Sequence, residues 1–396
     1  MSPGDNRPTS IEICAGAGGQ AYGLHEAGFR HLALLEIDKH ACQTLRDNVS
    51  KRPDWAGCEI IEADVKDVDP FQHEQLKKFR AELEPGELDL LAGGVPCPPF
   101  SVAGQQLGEE DERDLFPRML ELAGQLRPKA VMIENVRGIL DDKFTPYRNR
   151  IVAELESYGY ELCGWELIEA RRYGVPQLRP RAILVMIAKK YLKDTKFEWP
   201  TGNDRVVTVA KALEQTMRER CEPFGARGRA VFDKWLQDAT RCGTEAPTLV
   251  GGSKKHGGAD LGPSRAKAAW KALGVDAWGV ANDPEKCDPE RDLFRPTGPM
   301  LTVEQAAIIQ GFDRSWTFSG GKTARYRQVG NAFPPPVAKS VGEAIKAVLR
   351  PDAGQQSVAG AGENPFEGEL LPAARGEAEL CPAVSDRVND LQATNV

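Results

Sequence analysis

No apolar run in the 396 residues approaches the ~18 that a membrane-spanning helix requires, so no spanning segment is predicted. The opening stretch, Met1 to Thr9, is polar and passes straight into a strand-like segment, without the apolar core of a secretory signal. None of the nine cysteines forms a CxxC pair, and their number is odd. That pattern argues against a disulfide framework or a structural zinc site, and the expectation is a reducing, cytoplasmic setting with no metal. No internal repeat is visible. A basic excess is missing as well: 51 Lys and Arg face 58 Asp and Glu, a net charge of -7 with a pI near 5.5. On its face this balance disfavours a nucleic-acid partner. What is present is an ordinary globular composition, 41% apolar and 28% charged with mean hydropathy -0.42, in a chain long enough for two unequal domains.

The charge is unevenly placed. Residues 1–200 hold 26 basic and 33 acidic groups, residues 201–350 hold 23 and 17, and residues 351–396 hold 2 and 8. A basic C-terminal half is thus followed by an acidic tail, which is Ala/Gly/Glu/Pro-rich, lacks periodicity and is expected to be disordered.

From Ser10 to Ala188 short apolar runs alternate with helix-like stretches. The runs are 10–15, 32–37, 59–65, 88–95, 130–136, 161–168 and 181–187. Strands and helices at this pitch predict βαβ units and an α/β, doubly wound, mostly parallel sheet. Beyond about Phe197 apolar runs become scarce and Gly, Pro, Lys and Arg rise, which predicts a smaller, irregular domain. Helical patterning returns near 302–311 and 336–349.

The stretch Glu12-Ile13-Cys14-Ala15-Gly16-Ala17-Gly18-Gly19-Gln20-Ala21 follows the first strand and opens a helix. Glycines there let a ligand approach the backbone, and the helix N-terminus offers free N–H groups. Gly16-x-Gly18-x-x-Ala21 fits a dinucleotide fingerprint, and Glu36 ends the second strand 20 residues beyond Gly16, where it can accept hydrogen bonds from ribose hydroxyls. Asp64, ending the third run, can accept an adenine amino group. NAD and S-adenosyl-L-methionine both carry adenosine, so these residues alone leave a dehydrogenase and a methyltransferase open.

Strand four runs into Gly93-Gly94-Val95-Pro96-Cys97-Pro98-Pro99-Phe100-Ser101. A cysteine among three prolines, at the carboxyl end of a strand where open α/β sheets bind ligands, reads as a nucleophile and not as core. Glu134 closes the apolar run Val131-Met132-Ile133 on the same sheet edge, where burial would raise its pKa and let it donate a proton. In Gln177-Leu178-Arg179-Pro180-Arg181 the alternating arginines present two cations together, suited to carboxylate or phosphate.

These blocks occur in the order of the C5-cytosine-specific DNA methyltransferases of bacterial restriction–modification systems, which the chain resembles. Leu301-Thr302-Val303-Glu304-Gln305-Ala306 with Gln310-Gly311-Phe312, and Arg325-Tyr326-Arg327-Gln328-Val329-Gly330-Asn331-Ala332-Phe333, resemble the two closing blocks. The resemblance spans residues 11 to about 345, except much of 200–296. It implies the fold of the S-adenosyl-L-methionine-dependent methyltransferases. Residues 1–200, completed by 325–350, would form the catalytic and cofactor domain, residues 201–324 the target-recognition domain, and 351–396 the tail.

The same resemblance implies the chemistry. Cys97 would add to C6 of a cytosine flipped out of double-stranded DNA, Glu134 would bind N3 and the exocyclic amine, and Arg179 and Arg181 would hold the base carbonyl and the Glu or nearby backbone. Gly16, Gly18 and Gly19 would surround the methionine moiety of the cofactor, Glu36 the ribose, Asp64 the adenine amino group, and Asn331 would be the closing contact. Cys14 and Ile37 stand where the family carries an aromatic and commonly a Trp against adenine, and Pro98-Pro99 where a Gln or Asn often follows the cysteine. Ser101, Arg227, Arg229, Lys254, Lys255 and Arg265 are candidate DNA contacts, and Thr248-Leu249 resembles a pair common in the recognition portion. Further expectations are a cognate restriction endonuclease, a monomer, and a cytoplasmic enzyme held at the nucleoid by DNA. Two other assignments share residues with this one: a tRNA-directed cytosine methyltransferase, and an NAD-dependent oxidoreductase supported by Gly16-x-Gly18-x-x-Ala21 alone.

Overall fold

A computed structural model describes residues 6–96, 114–251 and 259–351. In chain order it contains β1 (Thr9–Ile13), α1 (Gly19–Glu26), β2 (Arg30–Glu36), α2 (Lys39–Val49), β3 (Glu59–Glu62), β4 (Leu90–Gly93), α3 (Phe116–Leu126), β5 (Ala130–Val136), α4 (Thr145–Ser157), β6 (Tyr160–Glu169) and β7 (Pro180–Ala188). There follow α5 (Val209–Cys221), α6 (Gly225–Cys242), α7 (Ser264–Ala272), α8 (Pro289–Asp292), α9 (Val303–Ile309), α10 (Lys322–Asn331) and α11 (Pro335–Leu349). Each of the seven apolar runs read from the sequence supplies one strand.

The strands form one sheet in the order β3-β2-β1-β4-β5-β7-β6. β1 through β5 pair in parallel, whereas β7 runs antiparallel to both β5 and β6. The parallel strands are apolar on both faces because helices cover both. In β5, Val131 and Ile133 join Phe116 and Met119 of α3 in one core, while Ala130 and Met132 turn to the opposite core with Leu24 of α1 and Val341 of α11. α11 therefore returns from the far end of the described chain to share a core with α1 and with β4, β5 and β7. Gly23 permits its approach, since a Cβ there would lie 2.2 Å from the Pro335 carbonyl oxygen.

Strand order reverses between β1 and β4, whose last residues, Ile13 and Gly93, are in register. A sheet that winds outward in both directions leaves a crevice at such a point, beyond the carboxyl ends of its strands. The glycine turn leaves β1 at this crevice, and the chain leading toward Cys97 leaves β4 there.

Between 201 and 324 the described residues contribute α5 to α9 and no strand. α9 answers the helical pattern seen near 302–311. α5 and α6 carry their apolar residues as a narrow stripe among charges, and the stripe packs Leu213, Met217, Phe232 and Trp235 with Trp270 of α7. That core continues through Ile309 and Phe312 to Leu34 and Leu45 at the sheet edge. Among the described residues no helix is long and apolar enough to cross a membrane.

Candidate active site

Beyond Ile13 the backbone turns through left-handed conformations at Cys14 (φ 52°), Gly16 (φ 54°) and Gly18 (φ 85°). A non-glycine residue held there costs about 1–3 kcal/mol, so Cys14 is strained in place by its surroundings. Gly19 has a different constraint: a Cβ on it would lie 2.2 Å from the Phe333 carbonyl oxygen, so turn and closing segment meet backbone to backbone. Glu36 then pins the turn. Its Oε2 accepts the Gly16 N–H at 2.7 Å, and Oε1 accepts those of Ile37 and Asp38 at 2.9 and 2.8 Å. Asp38 in turn caps α2 through the His40 and Ala41 N–H groups.

The turn, Glu36 and Asn331 wall a cavity of about 370 Å³ that Gly94 and Glu134 also line. This is within the size range of small-ligand sites. Two further wall residues, Glu12 and Gln20, are 1% and 3% exposed. Glu12 Oε2 and both amide atoms of Gln20 lack a protein partner. Burial drives the Glu12 carboxyl well above the usual carboxylate range, and the neighbouring Glu36 and Glu134 add to the effect. Burial, with Glu36 and Glu12 nearby, likewise pushes the Cys14 thiol up, which keeps it protonated.

Glu134 is the penultimate inward residue of β5, with a side chain only 13% exposed. The Arg181 Nε lies 2.7 Å from its Oε1, and Arg181 stands on the neighbouring antiparallel strand opposite Val136. Burial raises the Glu134 pKa, and the Arg181 and Arg179 guanidinium groups offset part of that rise. Asn135 donates to the Val95 carbonyl (2.9 Å), fixing the end of β5 to the chain that leaves β4.

Arg179 does something other than its alternation with Arg181 suggests. It is 1% exposed, and its guanidinium donates to the carbonyl oxygens of Leu249 (2.7 Å), Gly330 (2.7 Å) and Ala332 (2.9 Å). Gln177 extends this clamp: it donates to Gln310 Oε1 at 2.7 Å and accepts the Leu249 N–H at 2.8 Å. The Thr248 hydroxyl donates to the Leu178 carbonyl, so the Thr248-Leu249 pair is docked on the segment that leads into β7.

Cys14, Gly16, Gly19, Glu36, Glu134 and Asn331 thus share one cavity. Gly18, Ile37 and Asp64 are outside its walls: Gly18 packs toward Leu45 and Trp316, and Ile37 is 66% exposed. Asp64 follows Ala63, whose N–H donates to the Glu36 carbonyl at 3.1 Å. Arg227 forms a bidentate ion pair with Glu290 across the Phe294 ring, while Arg229 and Arg265 are exposed. Cys97, Ser101, Lys254, Lys255 and the tail from 352 onward lie outside the described residues. The glycine-turn stretch of the sequence contains Glu12 and Gln20 without pointing to a role for either. The signal for Glu12 was available, an acid inside the otherwise apolar strand Ile11-Glu12-Ile13.

A seven-stranded sheet whose parallel strands reverse at β1/β4, with antiparallel β7 inserted between β5 and β6, is the fold of the S-adenosyl-L-methionine-dependent methyltransferases. A prophage-encoded protein of Escherichia coli, assigned as a DNA modification methyltransferase, shares this fold with a TM-score of 0.57 at 22% identity, over 86% of this chain and 99% of its own. So does the Entamoeba histolytica methyltransferase EhMeth, with a TM-score of 0.57 at 14% identity, over 87% and 99%. Residues 9–347 match the profile of the C-5 cytosine-specific DNA methylases, and the chain belongs to that family. It is 46% identical to the type II methyltransferase M.NaeI of Lentzea aerocolonigenes over 86% of this chain and 75% of that protein. To M.NgoMIV of Neisseria gonorrhoeae it is also 46% identical, over 86% and 98%. It is accordingly a DNA cytosine-C5 methyltransferase that uses S-adenosyl-L-methionine. The cavity suits that cofactor: the turn offers unshielded backbone, Glu36 stands at its side, and Glu12 and Gln20 hold polar atoms that no protein group satisfies.

Proposed function

We propose that the chain methylates one cytosine of a specific double-stranded DNA sequence as the modification half of a restriction–modification pair, with Cys97 as nucleophile and Glu134 as the acid at N3. One observation carries this assignment of roles: a single cavity is lined both by the turn, Glu36 and Asn331 and by Glu134. A methyl donor on the first set and a base on the second would face each other without an intervening wall. The cofactor supplies the methyl group on a sulfonium. Gly16, Gly18 and Gly19 shape its bed, Glu36 takes the ribose, Asn331 closes the mouth, and Cys14, Ile37 and Asp64 flank the adenine.

At the reacting end, Cys97 adds to C6 of the flipped base while Glu134 places a proton on N3, so that C5 becomes nucleophilic. Arg181 fixes the Glu134 carboxyl at the angle that serves N3 and the exocyclic amine. Arg179 acts one step back by joining the segments around the base. After transfer, which leaves S-adenosylhomocysteine, a solvent-borne base takes the C5 proton, the Cys97 thiolate departs from C6 by elimination, and N3 returns its proton to Glu134. Residues 1–200 with 325–350 serve the chemistry and 201–324 the recognition of DNA, with Ser101, Arg229, Lys254, Lys255 and Arg265 at the DNA face. The enzyme works as a cytoplasmic monomer bound to the nucleoid, alongside an endonuclease cutting the same sequence.

Duplex DNA carrying 5-fluorocytosine at the target tests the roles, because fluorine blocks the elimination. The wild type should be trapped as a covalent adduct, visible as a mass increase under denaturing conditions. Cys97→Ala should bind the same DNA and form none; an adduct with that variant would remove Cys97 from the mechanism.

A further inference from the structure

The catalytic assignment leaves unused an indole that stands out from the surface after α7. Trp278 is 68% exposed, more than any other large apolar side chain among the described residues. A single exposed apolar residue is unremarkable when it is free to move, but this one is held. Asp276, only 3% exposed, accepts the Trp278 N–H (3.0 Å), the Arg295 Nε–H (2.8 Å) and the Thr297 hydroxyl. Backbone bonds from Leu261 to Ala277 and from Asp276 to Pro299 tie the same loop down on both sides. Lys267 Nζ lies 4.0 Å from the indole centroid while paired with Asp260 at 2.8 Å, which fixes the ring's face.

A groove of about 180 Å³ runs beside the ring, between the loop and α7, with Ser264 and Lys271 on its helical wall. α7 reads Ser-Arg-Ala-Lys-Ala-Ala-Trp-Lys-Ala, with three basic residues and no acid. The carboxylates bordering this surface are already engaged, Asp260 by Lys267 and Asp276 by Arg295. Lys271 is exposed and has no ion-pair partner among the described residues. The surface therefore presents a flat, immobile apolar ring next to unopposed positive charge. A single indole is too little apolar area for a stable protein interface. Sugar–phosphate backbone, which alternates an apolar ribose face with an anion, matches both parts.

The place is suitable as well. Gly262 packs near Val250, and the next residue, Gly251, lies against Asn331 at the mouth of the cavity. The loop is thus linked through a short run of contacts to the rim over which DNA must pass.

We propose that Trp278 and Lys271 form a DNA-backbone contact beside the modified base, Lys271 on a phosphate and the indole against a deoxyribose. The proposal rests on residues 201–324 facing DNA. Its test is the affinity for a duplex containing the methylated sequence, measured over a salt series with full-length enzyme. Lys271→Ala should lower the slope of log affinity against log salt by about 1. Trp278→Ala should weaken binding by about tenfold at every salt concentration with the slope unchanged, as expected for a contact without charge. Both should raise KM for DNA and leave kcat at saturating DNA, affinity for S-adenosylhomocysteine and Tm unchanged. Wild-type affinity and slope in both variants would overturn the proposal, as would altered oligomeric state with unaltered DNA binding, which would make the patch a protein interface. Lys271→Ala sits on an exposed helical face and keeps the test decisive should Trp278→Ala fold poorly. Loss of the 5-fluorocytosine adduct, by contrast, would count against the catalytic assignment and leaves these affinities readable.

Discussion

Glu134 sits between two opposing forces. Removal from water favours its neutral form, Arg181 favours the charged one, and the balance leaves its pKa above the ordinary value of 4.5. The upward shift favours the protonated carboxyl, which in the proposed mechanism gives its proton to N3, and that proton is lost as pH rises through the pKa. Glu134→Gln should therefore lower kcat by about 100-fold or more and abolish the corresponding limb of the pH–rate profile. Arg181→Ala, by removing the cation that lowers the pKa, should move that limb to higher pH. Single-turnover methylation across pH checks both. The linked effect on stability has a definite sign. Below about pH 4 both folded and unfolded states carry the proton, and nothing is lost; above 4.5 the unfolded carboxyl ionises first, and stability falls until the folded carboxyl follows. Glu134→Gln should flatten this pH dependence of stability, which thermal unfolding of both proteins across pH checks. At this scale the sequence was readable for position: Glu36 and Glu134, picked out as acids at strand ends, both line the cavity. It was silent where orientation decides. Nothing in Gln-x-Arg-x-Arg says that Arg179 turns to three backbone carbonyls while Arg181 turns to a carboxylate.

Arg179 belongs to the next scale, because it joins elements. Its guanidinium bridges the entry to β7, the segment at Leu249, and the junction of α10 and α11. The Ala332 carbonyl also accepts from the Gln310 amide, but the buried Leu249 and Gly330 carbonyls would lose this partner, at about 1–3 kcal/mol each before any relaxation. Arg179→Ala should therefore lower stability by about 3–5 kcal/mol, seen in chemical denaturation, and loosen the closing segment that carries Asn331. Arg179→Lys should recover little, since a point-like ammonium cannot span three acceptors. A role confined to holding the base would instead leave the denaturation midpoint of both variants unchanged. Elements themselves were legible to different degrees. Most strands are near-continuous apolar runs, β6 at the sheet edge is half-exposed and carries three glutamates, and all seven could be read. The antiparallel insertion of β7 between β5 and β6 could not, because pairing direction leaves no mark in a strand buried on both faces. α5 and α6 escaped for another reason: their buried stripe is narrow, and Lys, Arg and Glu dominate the composition of the region.

Across the whole molecule, the charge is a matter of arrangement. The sum of -7 combines an acidic cofactor half, a basic half at 201–350 with 23 cations against 17 anions, and a tail from 352 with 8 acids and 2 bases. Without the tail the chain is close to neutral, at -1. A tethered polyanion competes with DNA for a cationic surface whenever its tether reaches, and its repulsion of DNA acts over the Debye length, about 10 Å at 0.1 M salt. Truncation after Pro351 should thus tighten binding to DNA lacking the recognised sequence by several-fold at low salt, and the difference should vanish toward 0.5 M. Specific binding should gain less, because base contacts there add to the electrostatic part. The truncated enzyme would bind DNA more tightly and discriminate less between sites, which places the acidic tail on the side of specificity. Equal nonspecific affinity of the two forms at low salt would mean that the tail never reaches the DNA face.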